Sequence, residues 1–159
     1  MTSGGGDTVA ARLAAQGLHL PQVVAPLAAY VPAVRHGSLV MTAGQLPMRE
    51  GSLTAVGVVG RDLSAEEAEQ AAAQCALNAI AAIASVADPE DVVRIVKVTG
   101  FVASAPDFTA QPAVVNGASN LLLAAFGEAG RHARSAVGVS VLPLNAPVEV
   151  EVTAALRVP

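Results

Sequence analysis

The chain predicts an α+β fold, with helices packed on one face of a mixed β-sheet, and three stretches carry that prediction. Residues 130–157, GRHARSAVGVSVLPLNAPVEVEVTAALR, read as two strands that meet at a Pro/Asn turn. Ser64-Ala65-Glu66-Glu67 is a capping box that opens a long alanine-rich helix. Val92–Ala103 (VVRIVKVTGFVA) is β-branched with almost no polar face, so both of its sides need cover, one from helices and the other from a neighbouring subunit.

In chain order, residues 1–6 form a flexible tail, and Asp7 caps a short helix over 8–16 that Gly17 ends. Residues 23–32, punctuated by Pro26 and Pro32 and preceded by Pro21, read as an extended surface segment. Tyr30 within it either covers a sheet edge or lines a site. Residues 38–46 (SLVMTAGQL) form a buried strand, stopped by Pro47 and an Arg49-Glu50-Gly51 turn, and 52–60 read equally as extended chain or loop. The helix capped by Ser64 runs to about residue 86, with Ala68, Ala72, Cys75, Ala79, Ile80 and Ile83 on one face. Gln70, Gln74 and Asn78 fall on the other face, and Cys75 is a small core residue. Asp88-Pro89-Glu90 turns the chain into the apolar strand. Pro106-Asp107 opens a second helical region, with Pro112 in a first turn, Leu121, Leu122, Ala125 and Phe126 as its stripe and Gly130 closing it. Strand, helix, strand, helix, strand, strand makes two similar halves of one domain over residues 1–159, with no linker.

Composition narrows the function classes. Only 14% of the 159 residues are charged while 53% are hydrophobic, so part of the surface is expected to be buried, against a copy of the same chain. No segment has the roughly 18 uninterrupted apolar residues of a membrane span, and the start lacks the features of a secretory signal. One cysteine and three scattered histidines give neither a disulfide nor a metal-ligand spacing. A net charge of −4 with few aromatics argues against a nucleic-acid platform. A cytoplasmic protein without metal or cofactor is the expectation.

The motifs point to the C-terminal strands. No phosphate loop, dinucleotide fingerprint or nucleophile elbow is present, and Ser135 beside His132 is a weak nucleophile pair. Alternation puts Glu149 and Glu151 on one face of the last strand and Val148, Val150 and Val152 on the other. Arg134, opening the preceding strand, can hold a carboxylate through two parallel hydrogen bonds, and Glu149 can orient or deprotonate a water. The alternative is an ordinary cross-strand salt bridge between the two.

Tyr30, AGQLP at 43–47, VKVTGFVAS at 96–104, Asn116, and ARSAVGVSVLP followed by VEVEV together resemble the RidA family, also called YjgF or L-PSP. The resemblance covers residues 30–157, and its specific part is the C-terminal ARS…LP…VEVE signature. The tail and extra helix within residues 1–20, and the insertion-like 100–122, look like a longer subgroup. The resemblance implies a chorismate-mutase-like fold and a homotrimer with a central barrel and ligand sites between subunits. It implies hydrolysis of reactive 2-imino and 2-enamino acids to 2-keto acids and ammonia. On the matching positions, Arg134 is the carboxylate clamp and Glu149 places the attacking water. Tyr30 and Asn116 line the cleft, with backbone groups at Gly44 and Ala136. Two departures stand out. Ala43 replaces the family's serine before Gly-Gln, and Ala136 the common cysteine after Arg-Ser. His132 is a surface residue or borders the pocket. The other readings are a binding module for a small carboxylate and, against the acidic balance, a nuclease.

Overall fold

A computed structural model describes residues 7–23 and 29–158. The tail expected over 1–6, and residues 24–28 of the expected surface segment, lie outside the described residues. The chain folds in the order α1 (Val9–Ala14), β1 (Ala33–His36), β2 (Leu39–Thr42), β3 (Met48–Arg49), β4 (Ser52–Leu53), α2 (Ala65–Ala84), β5 (Val92–Ala103), α3 (Gln111–Phe126), β6 (Ala133–Val139) and β7 (Val148–Leu156). Five strands form one sheet in the order β1-β2-β7-β5-β6, and β3 with β4 forms a separate hairpin. Only the β5–β6 pair is parallel, so the sheet is mixed as expected.

The apolar patterns explain the layers. In β5, Ile95, Val98 and Val102 are fully buried, and they pair with Ala154, Val152 and Val148 of β7 on the same face. Helix α2 lies on β7 and β2, α3 lies on β5 and β6, and the two helices pack against each other. Gly100 of β5 faces α3, where a β-carbon would run into Val115. All six residues assigned from sequence to the apolar face of α2 are buried, Cys75 among them, with its thiol directed at the Val148 carbonyl at 3.6 Å. The capping box is complete: Ser64 Oγ accepts from the Glu67 N–H at 3.2 Å, and the Glu67 carboxylate accepts from the Ser64 N–H at 2.8 Å. Such a cap contributes about 1 kcal/mol.

Several expectations are corrected. The two C-terminal strands are not a hairpin, because β5 lies between β6 and β7 and pairs with both. The Pro143–Asn145 segment is a 3-10 turn in which Leu144 and Asn145 take positive φ. It carries the chain past β5 instead of folding it back on β6. The strand β1 begins just after Pro32, in a stretch the sequence did not mark as a strand, and the residue 38–46 strand is confined to Leu39–Thr42 with a further bridge from Gln45 to Val150. Thr8, not Asp7, caps α1 through its hydroxyl at 3.1 Å, while Asp7 pairs with Arg12. Helix α3 ends at Phe126 with Gly127 as its cap, and a 3-10 turn fills the residues up to Gly130. Gln74 does not face solvent. It is buried and accepts two hydrogen bonds from Arg49, while its amide donates to Asn78.

The sheet face away from the helices carries exposed Val34, Leu39, Met41, Val96 and Val137 among polar Lys97, Thr99, Glu151 and Thr153. Among the described residues no helix is long and apolar enough to cross a membrane.

Candidate functional site

Arg134 sits on the edge strand β6 opposite Val98 of β5, which turns its side chain toward α3. Pro112, Asn116 and Ser119 stand at i, i+4 and i+7 on α3, one stripe of the helix. All three meet the guanidinium. Nη1 donates to Asn116 Oδ1 at 2.9 Å and to Ser119 Oγ at 3.1 Å, and Nη2 donates to the Pro112 carbonyl at 3.2 Å. A guanidinium has five N–H donors. Both hydrogens of Nη1 and one of Nη2 are committed, which leaves Nε–H and the second Nη2–H without an assigned acceptor.

Behind Arg134 stands His132, half-buried rather than on the surface. Its Nδ1 is 2.6 Å from the Gly130 carbonyl, which only accepts, so Nδ1 carries the proton in the neutral ring. Nε2 is then the acceptor for the Ser119 hydroxyl at 2.9 Å, and Ser119 Oγ in turn accepts from Arg134. Sequence reasoning missed Ser119 and this role of His132, although the helical spacing of Asn116 and Ser119 was there to be read. Ser135 is no partner of His132; it faces the other side of the sheet and accepts from Lys97 Nζ at 2.9 Å. Ala136 lies two residues beyond Arg134 on the same face of β6, half-buried and opposite Gly100.

Glu149 belongs to a different part of the surface. It pairs with Phe101 of β5 and points away from the helices. A pair of backbone hydrogen bonds between Gln45 and Val150, at 2.8 and 3.0 Å, lays the 43–46 segment beside the start of β7. Gly44 thereby comes so close to Glu149 that a β-carbon there would overlap the carboxylate. Burial, and then the charge of Glu151, raises the Glu149 pKa from its ordinary value of 4.5. Gly44 and Tyr30 also line a cavity of about 490 Å³ bounded by the residue 21–23 segment, β3 and α2.

The predicted residues thus form two groups, Arg134 with Asn116 and Ala136, and Glu149 with Gly44 and Tyr30. Arg134 and Glu149 do not form the cross-strand salt bridge considered from sequence. They register with Val98 and Phe101, three residues apart, on strands separated by β5, which puts their Cα atoms roughly 14 Å apart. Odd spacing also directs the two side chains to opposite faces. Among the described residues no group of three or more His, Cys, Asp and Glu side chains is placed to hold a metal ion.

The sequence matches the family described as "YjgF/chorismate mutase-like, putative endoribonuclease" over residues 10–156. Protein TCP17 of Trypanosoma cruzi is 43% identical over 145 residues, spanning 90% of this chain and 91% of its own. The crystal structure of Atu1372 from Agrobacterium tumefaciens, a protein of unknown function, superposes with a TM-score of 0.88 at 42% identity, covering 96% of this chain and 95% of that one. The YjgF gene product of E. coli gives a TM-score of 0.61 at 27% identity. Its chain is covered over 99% of its length but this one over only 86%, so the extra residues belong to this chain.

Proposed function

The chain belongs to the YjgF/chorismate mutase-like family, and on that premise we propose that it hydrolyses reactive 2-imino and 2-enamino acids to 2-keto acids and ammonia. The observation that carries this reading is the Arg134 guanidinium. Three acceptors on α3 hold it, while Nε–H and one Nη2–H have no acceptor among the described residues and can donate to a carboxylate. With the carboxylate anchored, Glu149 takes a proton from a water as that water adds to the C=N carbon. The tetrahedral carbinolamine then collapses, its nitrogen protonated, into the keto acid and ammonia. Each step needs an anchored substrate, a placed water and a proton acceptor, and no cofactor.

The two halves of the site lie on opposite faces of one sheet, so we place the reaction between subunits. In the homotrimer proposed here, the Glu149, Gly44 and Tyr30 group of one subunit meets the Arg134 and Asn116 group of the next. The apolar sheet face with Val34, Met41 and Val137 exposed supports this, since covering it is the main gain from assembly. A central barrel and a cytoplasmic location belong to the same proposal. The competing reading, a module that binds a small carboxylate without turnover, draws on Ala43, where a hydroxyl of the family is missing.

The test generates imines with an amino acid oxidase and traps the survivors with semicarbazide. Loss of trappable imine on adding the protein is expected; undiminished trapping with a folded protein would leave only the binding module. Glu149 must be ionised to accept a proton. Its raised pKa therefore predicts that kcat/KM falls on acidification through a pH above 4.5, a limb that Glu149→Gln removes along with most activity. Gly44→Ala is expected to push the Glu149 carboxylate aside and lower kcat by at least tenfold. Circular dichroism should show an unchanged fold, and a fully active variant would contradict the placement of Glu149.

A further inference from the structure

We propose that the cavity beside Gly44 selects 2-imino acids, and the matching 2-keto acids, with a bulky apolar side chain over alanine-sized ones. The inference rests on the deaminase reading and narrows its substrate class. Gly44 has the Glu149 carboxylate against it and also lines the cavity. An imine carbon held at Gly44 can therefore direct its side chain into that space.

The volume is the first argument. About 490 Å³ is far more than a methyl group fills. The walls are the second. Pro21, Val23, Leu46, Met48, Ala81 and Leu144 present carbon and outnumber the polar Gln22, Gln45 and Glu50, and the one amide on the α2 wall, Asn78, has little left to offer. Its two N–H hydrogens are spent on the Leu46 and Met48 carbonyls, both at 2.9 Å, and its oxygen accepts from Gln74 at 3.0 Å. That same network ties the Leu46 to Met48 wall to α2 and holds that wall in place. Water against the α2 and Leu46–Met48 wall would find few partners, which favours an apolar occupant there.

Leu144 also lines this cavity. Its φ of 58° lies in the left-handed region, unusual for a branched side chain, and the residue is 70% exposed. None of the described residues buries it, yet with Tyr30, also exposed, it stands at the cavity mouth. Two large side chains there are placed to close on an apolar group.

The test is calorimetric titration of the full chain with pyruvate and with 4-methyl-2-oxopentanoate, which differ by three carbons. At roughly fourfold per buried methylene, the branched acid is expected to bind at least tenfold more tightly. Met48→Trp, which adds a bulky ring to the cavity wall and leaves Arg134, Glu149, Gly44 and Tyr30 in place, should narrow the cavity and lower the ratio several-fold. Leu144→Gly relieves the positive φ, is exposed, and should lower affinity for the branched acid alone by several-fold. Equal binding of the two acids, or a preference that neither variant changes, overturns the proposal. The imine-trapping assay reads the deaminase reaction separately. A strong branched-acid preference without turnover upholds the cavity assignment and defeats the deaminase reading, whereas turnover that is fastest with alanine-derived imine does the reverse.

Discussion

Arg134→Ala is expected to lower kcat/KM for imine hydrolysis by roughly 10- to 150-fold, the equivalent of a charge-assisted bidentate bond of about 1.5–3 kcal/mol. The loss should appear mainly in KM, because the carboxylate is held in the ground state as well as in the transition state. Arg134→Lys is expected to recover little. An ammonium keeps the charge, but it cannot satisfy Asn116, Ser119 and the Pro112 carbonyl while offering two parallel donors to substrate. Ser119→Ala tests the support behind the clamp. It removes the hydroxyl shared by Arg134 and His132, so KM should rise several-fold with kcat nearly unchanged. Steady-state kinetics on the three variants, with melting temperatures as the folding control, measures all of this. Full activity in Arg134→Ala would remove the basis of the proposed mechanism.

Gly117→Ala is the substitution expected to cost the most stability. Glycine to alanine inside a helix ordinarily stabilises by up to about 1 kcal/mol. Here a β-carbon would land on the Glu69 backbone carbonyl where α3 crosses α2. A main-chain oxygen within a packed helix cannot swing aside, so the two helices must separate and loosen the layer that buries the sheet. The clash outweighs the helix propensity, and we expect a net loss of about 3 kcal/mol. At 2–4 °C per kcal/mol for a chain of this size, the melting temperature should fall by about 6–12 °C. Asn120→Ala, an exposed change three residues away on the same helix, should leave it within about 2 °C. A Gly117→Ala protein as stable as the parent would show that the helices do not approach as closely as described.

Local signals were legible where the sequence carries its own partner. The Ser64/Glu67 cap, the buried stripe of α2 and the span of β5 depend on residues within a few positions of one another, and the structure has each of them as expected. Arg134 with Asn116 could be read because a family signature names them, although their 2.9 Å contact joins residues 18 apart. What failed were pairings across long separations. A Pro/Asn turn between two strands suggests a hairpin, yet β5 occupies the place between β6 and β7, where its backbone pairs on both edges while Ile95, Val98 and Val102 face the helices. Gln74 and Asn78 looked solvent-facing by residue type. The carbonyls of Leu46 and Met48 and the Arg49 side chain, which no helical period reveals, supply the partners that make their burial tolerable.

The amino-acid sequence by itself determined the family and the span of the long capped helix, and it singled out two charged residues as candidates. Periodicity, capping and signature motifs are local properties of the chain. Only the tertiary structure decided that those charges belong to two separate groups on opposite faces of the sheet. Strand order and side-chain parity are set by which surfaces bury each other, and that choice is made by the whole fold at once.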